Sequence, residues 1–164
     1  KWTKYFLRPA QIEVLRTLKQ SGIMVRLGDM ADVDVGIVTG RNSFFTFTDA
    51  QARALELTGH CVPLVSRSAQ LCGLIYDTEC RASDIAANHR TWLLDAPPHP
   101  SDPALISHIR AGEAADVHRG YKCSIRNPWW STPSLWVPDL FLLRQIHLAP
   151  RLTVNAAAAS GSAL

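Results

Sequence analysis

Two short segments of this 164-residue chain carry the side chains whose types and spacing best suit chemistry. The first, residues 35–47, is an apolar run that enters the turn Gly40-Arg-Asn42 and continues into aromatic residues. The second, residues 120–130, places two cations ahead of Asn127-Pro-Trp-Trp130. Each segment joins an Arg-Asn pair to aromatic rings, a combination that suits a surface binding nucleic acid, because both polar side chains match base edges. Neither segment by itself supplies a reaction.

The segment Asn127-Pro-Trp-Trp130 differs by one residue from the Asn-Pro-Pro-aromatic motif of amino-group methyltransferases. In that motif, oxygen atoms accept hydrogen bonds from the target amine while the aromatic ring stacks on the extruded base. Here Trp129 replaces the second proline, and no glycine loop for a cofactor precedes the segment. Three interpretations stay open: a catalytic motif, an aromatic turn that packs locally, and a DNA-contacting tip. We assign no catalytic residue and no cofactor site to the chain.

Other catalytic and metal-binding patterns are absent from the sequence. It contains no dinucleotide-binding glycine motif, no phosphate loop and no nucleophile elbow. The acidic cluster Asp29, Asp32 and Asp34 has no companion histidine and indicates a solvated loop or strand edge. The cysteines lack metal-ligand spacing, so we predict no metal site and expect small buried hydrophobic residues in a reducing cell at Cys61, Cys72, Cys80 and Cys123.

Charge is divided along the chain, although the net value is only +3. Residues 1–26 carry a net +5, residues 27–116 a net −6, and residues 117–164 a net +4. If the two ends meet, they form one basic face suited to a phosphate backbone; the alternative is a solvated surface. There is no run of 18 apolar residues, so no membrane span is expected. We predict no membrane partner and expect a cytoplasmic location, in keeping with the reducing cell that the cysteines indicate. Because the chain begins at Lys1 without a signal peptide, we interpret it as a piece of a longer polypeptide.

Hydrophobic periodicity predicts several helices. Pro9, an apolar stripe at helical spacing and Gly22 predict a helix over residues 9–21. Thr48-Asp-Ala-Gln51 has the capping-box pattern and predicts a second helix to about Thr58. Residues 77–89 are predicted to be helical or irregular, and a short helix over 104–111 is expected to end at Gly112.

Strand patterns are more numerous than helix patterns. They are predicted within residues 24–47 and 61–76, and at 92–94, 121–126, 135–137, 140–143 and 151–154. The proline-rich segment 96–103 is predicted to be a loop. Residues 156–164 are expected to be a frayed tail or a helix. The sequence therefore predicts an α+β fold, a β-rich single domain over residues 1–164 with short, mainly antiparallel strands and a few helices.

Six segments, in order, resemble the C-terminal specificity domain of TaqI-like N6-adenine DNA methyltransferases. They are residues 34–45, 63–71, 92–95, 109–113, 121–130 and 150–155. The resemblance implies a target recognition domain that binds double-stranded DNA in a restriction-modification system. It also implies an upstream methyltransferase domain on the same polypeptide, which binds S-adenosylmethionine and transfers the methyl group. The cofactor then belongs to the parent enzyme, with none in this chain.

On this interpretation, Arg41 and Asn42 enter a groove, where arginine suits guanine and asparagine suits adenine. Lys122 and Arg126 are expected to share one face of a strand and to reach phosphates or guanine edges. The complete set predicted to contact DNA is Thr39, Arg41, Asn42, Arg67, Lys122, Arg126, Trp129, Trp130 and Arg151, with Arg144 as a further phosphate clamp.

Alternatives remain for both the residues and the function. Each arginine can instead be a solvated or structural cation. The tryptophan pair can be a wedge against a distorted DNA strand or a packing element. The competing functions are a self-sufficient methyltransferase that uses Asn127-Pro-Trp-Trp130, and a non-enzymatic protein-interaction module with the tryptophans as its anchor.

Overall fold

The structure is a computed structural model that describes residues 5–133, 135–143, 145 and 150–162. Contacts divide the chain into two compact units, Lys1–Val35 and Gly36–Leu164. Among the described residues, no helix is long and apolar enough to cross a membrane.

The first unit contains helix α1, Pro9–Gln20, which confirms the predicted helix. Pro9 stands at the start of α1, and Gly22 follows its end with a φ of 71°, a left-handed conformation that favours glycine. The predicted strands of residues 24–35 are wrong, because this stretch has only the single 3-10 turn Leu27–Asp29. No described residue of this unit is buried, and its described apolar side chains are exposed or half-buried.

The second unit holds seven short strands and five helices among its described residues. In chain order they are α2 Asn42–Phe45, β1 Thr46–Phe47, α3 Asp49–Ala54, β2 Cys61–Val65, β3 Ile75–Tyr76, α4 Thr78–Ala86, β4 Trp92–Leu94, α5 Pro103–Ala114, α6 Tyr121–Ser124, β5 Leu140–Leu142, β6 Leu152–Asn155 and β7 Ser160–Gly161.

These strands form two small mixed sheets. The first has the order β1-β4-β2-β7, in which β4 pairs antiparallel with β1 and β2, and β7 pairs parallel with β2. The second has the order β3-β6-β5, with one parallel and one antiparallel pairing. The α+β class is confirmed, as are the strands predicted at 92–94, 140–143 and 151–154. The described residues are nevertheless richer in helix than in strand, and residues 135–137 form no strand.

A hydrophobic core lies against each sheet. The first core is built from Phe45, Leu64, Leu93, Leu94 and Leu105, all essentially inaccessible to solvent, together with further apolar side chains. The second core contains Val65, Leu71, Tyr76, Phe141 and Ala159. Strand β2 contributes to both, because the neighbouring residues Leu64 and Val65 point to opposite faces of the strand.

The end of the described chain is a strand, so the expected frayed tail or helix is wrong for the residues up to Ser162. Ser160 and Gly161 pair with Leu64 and Val65, and Ala159 is fully buried. The Asn155 side chain stabilises the bend before β7, since its Nδ2 donates to the Ala159 carbonyl (2.8 Å) and its Oδ1 accepts from the Ala159 amide (3.1 Å).

Helix α2 replaces a predicted aromatic strand. The Arg41 carbonyl accepts hydrogen bonds from the amides of Phe44 and Phe45, which closes one helical turn. Both rings are buried in that turn, whereas successive side chains of a strand would point to opposite faces. Burial of both phenylalanines therefore favours the helix over the strand propensity of the aromatic residues.

Helix α6 replaces the strand predicted over residues 121–126. The Gly120 carbonyl accepts hydrogen bonds from the amides of Cys123 and Ser124, both at 2.8 Å. These local bonds form a helical turn in which Cys123 is buried. The expectation that Lys122 and Arg126 share a strand face is therefore wrong.

The other helices follow the sequence more closely. The predicted capping box is present at α3, where the Thr48 hydroxyl accepts from the Gln51 amide and the Gln51 side chain accepts from the Thr48 amide. That helix ends at Ala54, earlier than predicted. Helix α4 falls within the predicted segment 77–89. Helix α5 continues through Gly112 to Ala114, so the expected stop at Gly112 is wrong.

Candidate nucleic-acid interface

The two segments singled out in the sequence contact each other at Gly40. Gly40 has a φ of 86°, a left-handed conformation that favours glycine. A Cβ atom added at Gly40 would lie 2.6 Å from the Cβ of Lys122, which is closer than van der Waals contact. Only glycine therefore fits where the turn of residues 40–42 meets helix α6.

Arg126 joins the same two segments through its guanidinium group. Its Nη1 donates to the Thr39 carbonyl (2.9 Å) and to the Ser131 carbonyl (3.3 Å), and its Nη2 donates to the Val38 carbonyl (2.7 Å). The guanidinium carbon lies 5.7 Å from the centre of the Phe45 ring. Burial lowers the pKa of Arg126, yet a guanidinium stays protonated at neutral pH. Arg126 is therefore a charged donor directed at backbone carbonyls.

Thr39 faces the protein interior. Its side chain is buried, and its hydroxyl donates to Oδ1 of Asn42. The Asn42 backbone carbonyl in turn accepts from the Thr46 hydroxyl at 2.8 Å. The Thr39 side chain thus orients Asn42 and is not available at the surface.

Arg41, Asn42 and Lys122 are exposed, and together we call them the turn surface. The side chains of Arg41 and Lys122 form no hydrogen bond or ion pair with the described part of the chain. The Lys122 Nζ lies 5.6 Å from the centre of the exposed Tyr121 ring. Hence the turn surface presents, next to Gly40, one amide and two cations that form no hydrogen bond or ion pair among the described residues.

The tryptophan pair packs within the protein. The Trp129 ring lies 5.1 Å from the Phe44 ring, and its Nε1 donates to Glu113 Oε1 at 3.3 Å. The Trp130 Nε1 donates to the Pro97 carbonyl at 3.2 Å. Both rings are half-buried and belong to the rim of the first core. The two rings therefore pack locally against the protein in this structure.

The remaining predicted cations lie beside the second core. Arg67 is exposed and precedes the 3-10 turn Ser68–Gln70, where its backbone amide donates to Gln70 Oε1 at 2.9 Å. Arg151 is also exposed, and its Nη2 donates to the Leu71 carbonyl at 2.8 Å. Arg144 lies outside the described residues. Arg67 and Arg151 therefore both lie close to the turn that follows β2.

A hydrogen-bond network around Asp84, a residue that the sequence analysis missed, supports the turn next to Arg67. The buried Asp84 carboxylate accepts hydrogen bonds from Gln70 Nε2 (2.9 Å) and the Tyr76 hydroxyl (2.8 Å), and pairs with His89 Nδ1 (2.9 Å). Burial raises the pKa of the Tyr76 hydroxyl, so it stays a donor. The Oε1 of the same Gln70 side chain accepts a hydrogen bond from the Arg67 amide. These partners are separated by 5 to 14 positions in the chain, with no motif to mark them.

Among the residues that the structure describes, there is neither a candidate metal site nor a disulfide bond. Within residues 5–133, 135–143, 145 and 150–162, no group of three or more histidine, cysteine, aspartate or glutamate residues is placed to hold a metal ion. All four cysteines are free thiols. Cys123 is buried as expected, but Cys72 is exposed, so the expectation of buried cysteines is wrong there. Burial, with a smaller effect from Asp95, raises the pKa of Cys61 to about 12.

Comparison of the sequence with known proteins identifies a matching family. Residues 1–162 match the family model of the type II methyltransferase M.Eco57I, C-terminal domain. A curated relative, the type II methyltransferase M.AccI of Acinetobacter calcoaceticus, is 22% identical over 131 residues, which is 80% of this chain and 23% of that relative. The chain thus spans about a quarter of the length of this relative. No solved structure matches the chain significantly.

Proposed function

Because the chain belongs to the family of type II methyltransferase C-terminal domains, we propose that it is the sequence-specific DNA recognition domain of a site-specific adenine-N6 methyltransferase. The parent enzyme belongs to a restriction-modification system in the cytoplasm. Its catalytic domain lies upstream on the same polypeptide and binds S-adenosylmethionine. This chain contributes double-stranded DNA binding and the choice of sequence.

The observation that carries the proposal is the turn surface. Arg41 and Lys122 are exposed cations whose side chains form no hydrogen bond or ion pair among the described residues, so binding a phosphate or a base breaks no existing ion pair. Arginine can donate two hydrogen bonds to guanine, and asparagine can pair with adenine through one donor and one acceptor. Lysine is suited to phosphate as a point charge. Arg41 and Asn42 thus suit contacts with bases, and Lys122 suits a contact with the DNA phosphate backbone.

The packing of the tryptophans favours this function over the two alternatives. A self-sufficient methyltransferase needs Trp129 or Trp130 free to stack on an extruded base, whereas each ring is half-buried and its indole nitrogen is hydrogen bonded within the chain. A protein-interaction module anchored on these rings requires the same exposure. Titration of the chain with S-adenosylmethionine should accordingly give no binding heat, while a saturable isotherm would support the self-sufficient enzyme.

DNA binding by the 164-residue chain tests the proposal directly. The affinity for duplex DNA should fall steeply as salt rises, because cationic side chains displace counterions from the phosphates. Arg41→Ala should weaken binding by roughly 1–3 kcal/mol if Arg41 reads a base. Lys122→Ala should reduce the slope of log affinity against log salt by about 1. Arg110→Ala is the matched control, since Arg110 is also an exposed cation without an ion pair in the described chain.

Two results would contradict the proposal. One is the absence of DNA binding at low salt; the other is an equal loss of affinity in the Arg41 and Arg110 variants, which would indicate nonspecific attraction. Selection of bound duplexes from a randomised pool then tests sequence choice. The wild-type chain should enrich one short sequence that contains adenine, and Arg41→Ala should relax the preference at one position within it. A pool without enrichment would exclude sequence-specific recognition.

A further inference from the structure

We infer that Arg126 is a positioning residue for the turn surface: it holds the backbone before Gly40 and does not itself contact DNA. The inference rests on the proposed function, and it changes the role assigned to Arg126 from reading bases to supporting the residues that read them. It also separates the cations of these two segments into two groups, with Arg41 and Lys122 at the surface and Arg126 behind them.

The first argument is the number and kind of its hydrogen bonds. The guanidinium donates to three backbone carbonyls, those of Val38, Thr39 and Ser131. Val38 and Thr39 are 88 and 87 positions away in the chain, so the bonds fix a long-range contact. A forked, planar donor group is needed to reach two successive carbonyls and a third one together. Arg126 thus connects the two residues before Gly40 with the loop that follows α6.

The second argument is the cost of releasing Arg126 toward DNA. Thr39 is buried, and within the described part of the chain its carbonyl accepts from one donor besides Arg126, the Cys123 thiol, at 4.0 Å. A thiol is a weak donor, so removal of the guanidinium would leave this carbonyl poorly satisfied. An arginine that swung outward to a phosphate would forfeit that bond and those to Val38 and Ser131. The geometry therefore favours the inward position during DNA binding.

The third argument is that the turn is held on both sides of Gly40. On one side, Arg126 fixes the carbonyls of Val38 and Thr39. On the other, the Arg41 carbonyl is fixed by the first turn of α2. Gly40, in its left-handed conformation, connects these two fixed points. If either set of hydrogen bonds is lost, the direction in which the side chains of Arg41 and Asn42 project is no longer fixed.

Hydrogen–deuterium exchange of the DNA-free chain tests the positioning role independently of DNA binding. In Arg126→Ala, amides of residues 40–45 should exchange at least tenfold faster than in the wild type, because both bonds to the carbonyls of Val38 and Thr39 are lost. Arg126→Lys should show an intermediate increase, since an ammonium group lacks the fork that spans both carbonyls. The Lys variant also covers the case in which the Ala variant does not fold. In Arg41→Ala, exchange in these residues should stay at the wild-type rate.

DNA binding measured across a salt series supplies the second readout. A positioning residue predicts that Arg126→Lys weakens binding tenfold or more, although its charge is kept, with the wild-type salt slope. Lys122→Ala should lose about one unit of slope in the same series. The inference is overturned if Arg126→Lys binds DNA as the wild type does, or if exchange in residues 40–45 is unchanged in both Arg126 variants. If the wild-type chain binds no DNA, the proposed function fails, while the exchange experiment still decides whether Arg126 fixes the turn.

Discussion

Replacement of Gly112 by alanine should destabilise the protein, although alanine is the better helix former. Gly112 is buried in α5. An added Cβ would overlap Cε2 of Phe44 and lie 2.7 Å from Cη2 of Trp129 and 3.0 Å from Cζ of Phe44. The Phe44 ring cannot easily retreat, because it stacks on His108 with ring centres 4.3 Å apart. Overpacking of this kind costs about 1–3 kcal/mol, while the gain in helix propensity offsets about 1 kcal/mol.

The expected net loss is therefore about 0–2 kcal/mol, with about 1 kcal/mol as the central value, which corresponds to a decrease in Tm of up to about 8 °C. Urea unfolding followed by circular dichroism measures it. Gly59→Ala is the control, since no described atom lies within 4 Å of its added Cβ and its φ is not positive. That variant should range from unchanged to about 1 kcal/mol more stable. If Gly112→Ala is as stable as Gly59→Ala, the steric argument is wrong.

Two further predictions concern buried polar groups. Asp84→Ala should reduce the free energy of unfolding by about 2–4 kcal/mol, because it leaves the Tyr76 hydroxyl and the Gln70 amide without their acceptor. In the same urea assay Tyr76→Phe should cost only about 1 kcal/mol, and equal losses would contradict the role of Asp84 as the shared acceptor. Burial lowers the pKa of His108, an effect partly offset by its hydrogen bond to the Phe44 carbonyl. The unfolded chain therefore takes up this proton first as the pH falls below about 6.5, and stability decreases toward the lower folded pKa. His108→Gln should flatten the change in unfolding free energy between pH 7.5 and 5.5; an unchanged slope would assign it to other groups.

Local signals in the sequence predicted the elements that depend on local contacts. Helix α1 follows from Pro9, its apolar stripe and Gly22, and the start of α3 follows from the reciprocal bonds of Thr48 and Gln51. Strand β4 was recognisable from its short apolar run. In each case the partners that determine the structure are only a few residues apart.

Elements that depend on distant contacts were predicted wrongly. Phe44 and Phe45 have the composition of a strand, but both are buried in a helical turn, and the Phe44 ring packs against Gly112, nearly seventy positions later. The role of Arg126 was hidden for a related reason. Two of its three acceptors are backbone carbonyls 87 and 88 positions away, and because every residue has a carbonyl, the sequence does not mark them.

The way in which Arg126 grips the turn has a consequence for the diversification of specificity. Its hydrogen bonds end on main-chain oxygens, which every amino acid supplies. Exchanging the side chain at Arg41 leaves all of these bonds in place, and exchanging Asn42 removes only its hydrogen bond with Thr39. Positions 41 and 42 can therefore be randomised on a fixed frame of Gly40, Lys122 and Arg126, as the hypervariable positions of an antibody loop are. A library at these two positions is the natural starting point for domains that choose new sequences.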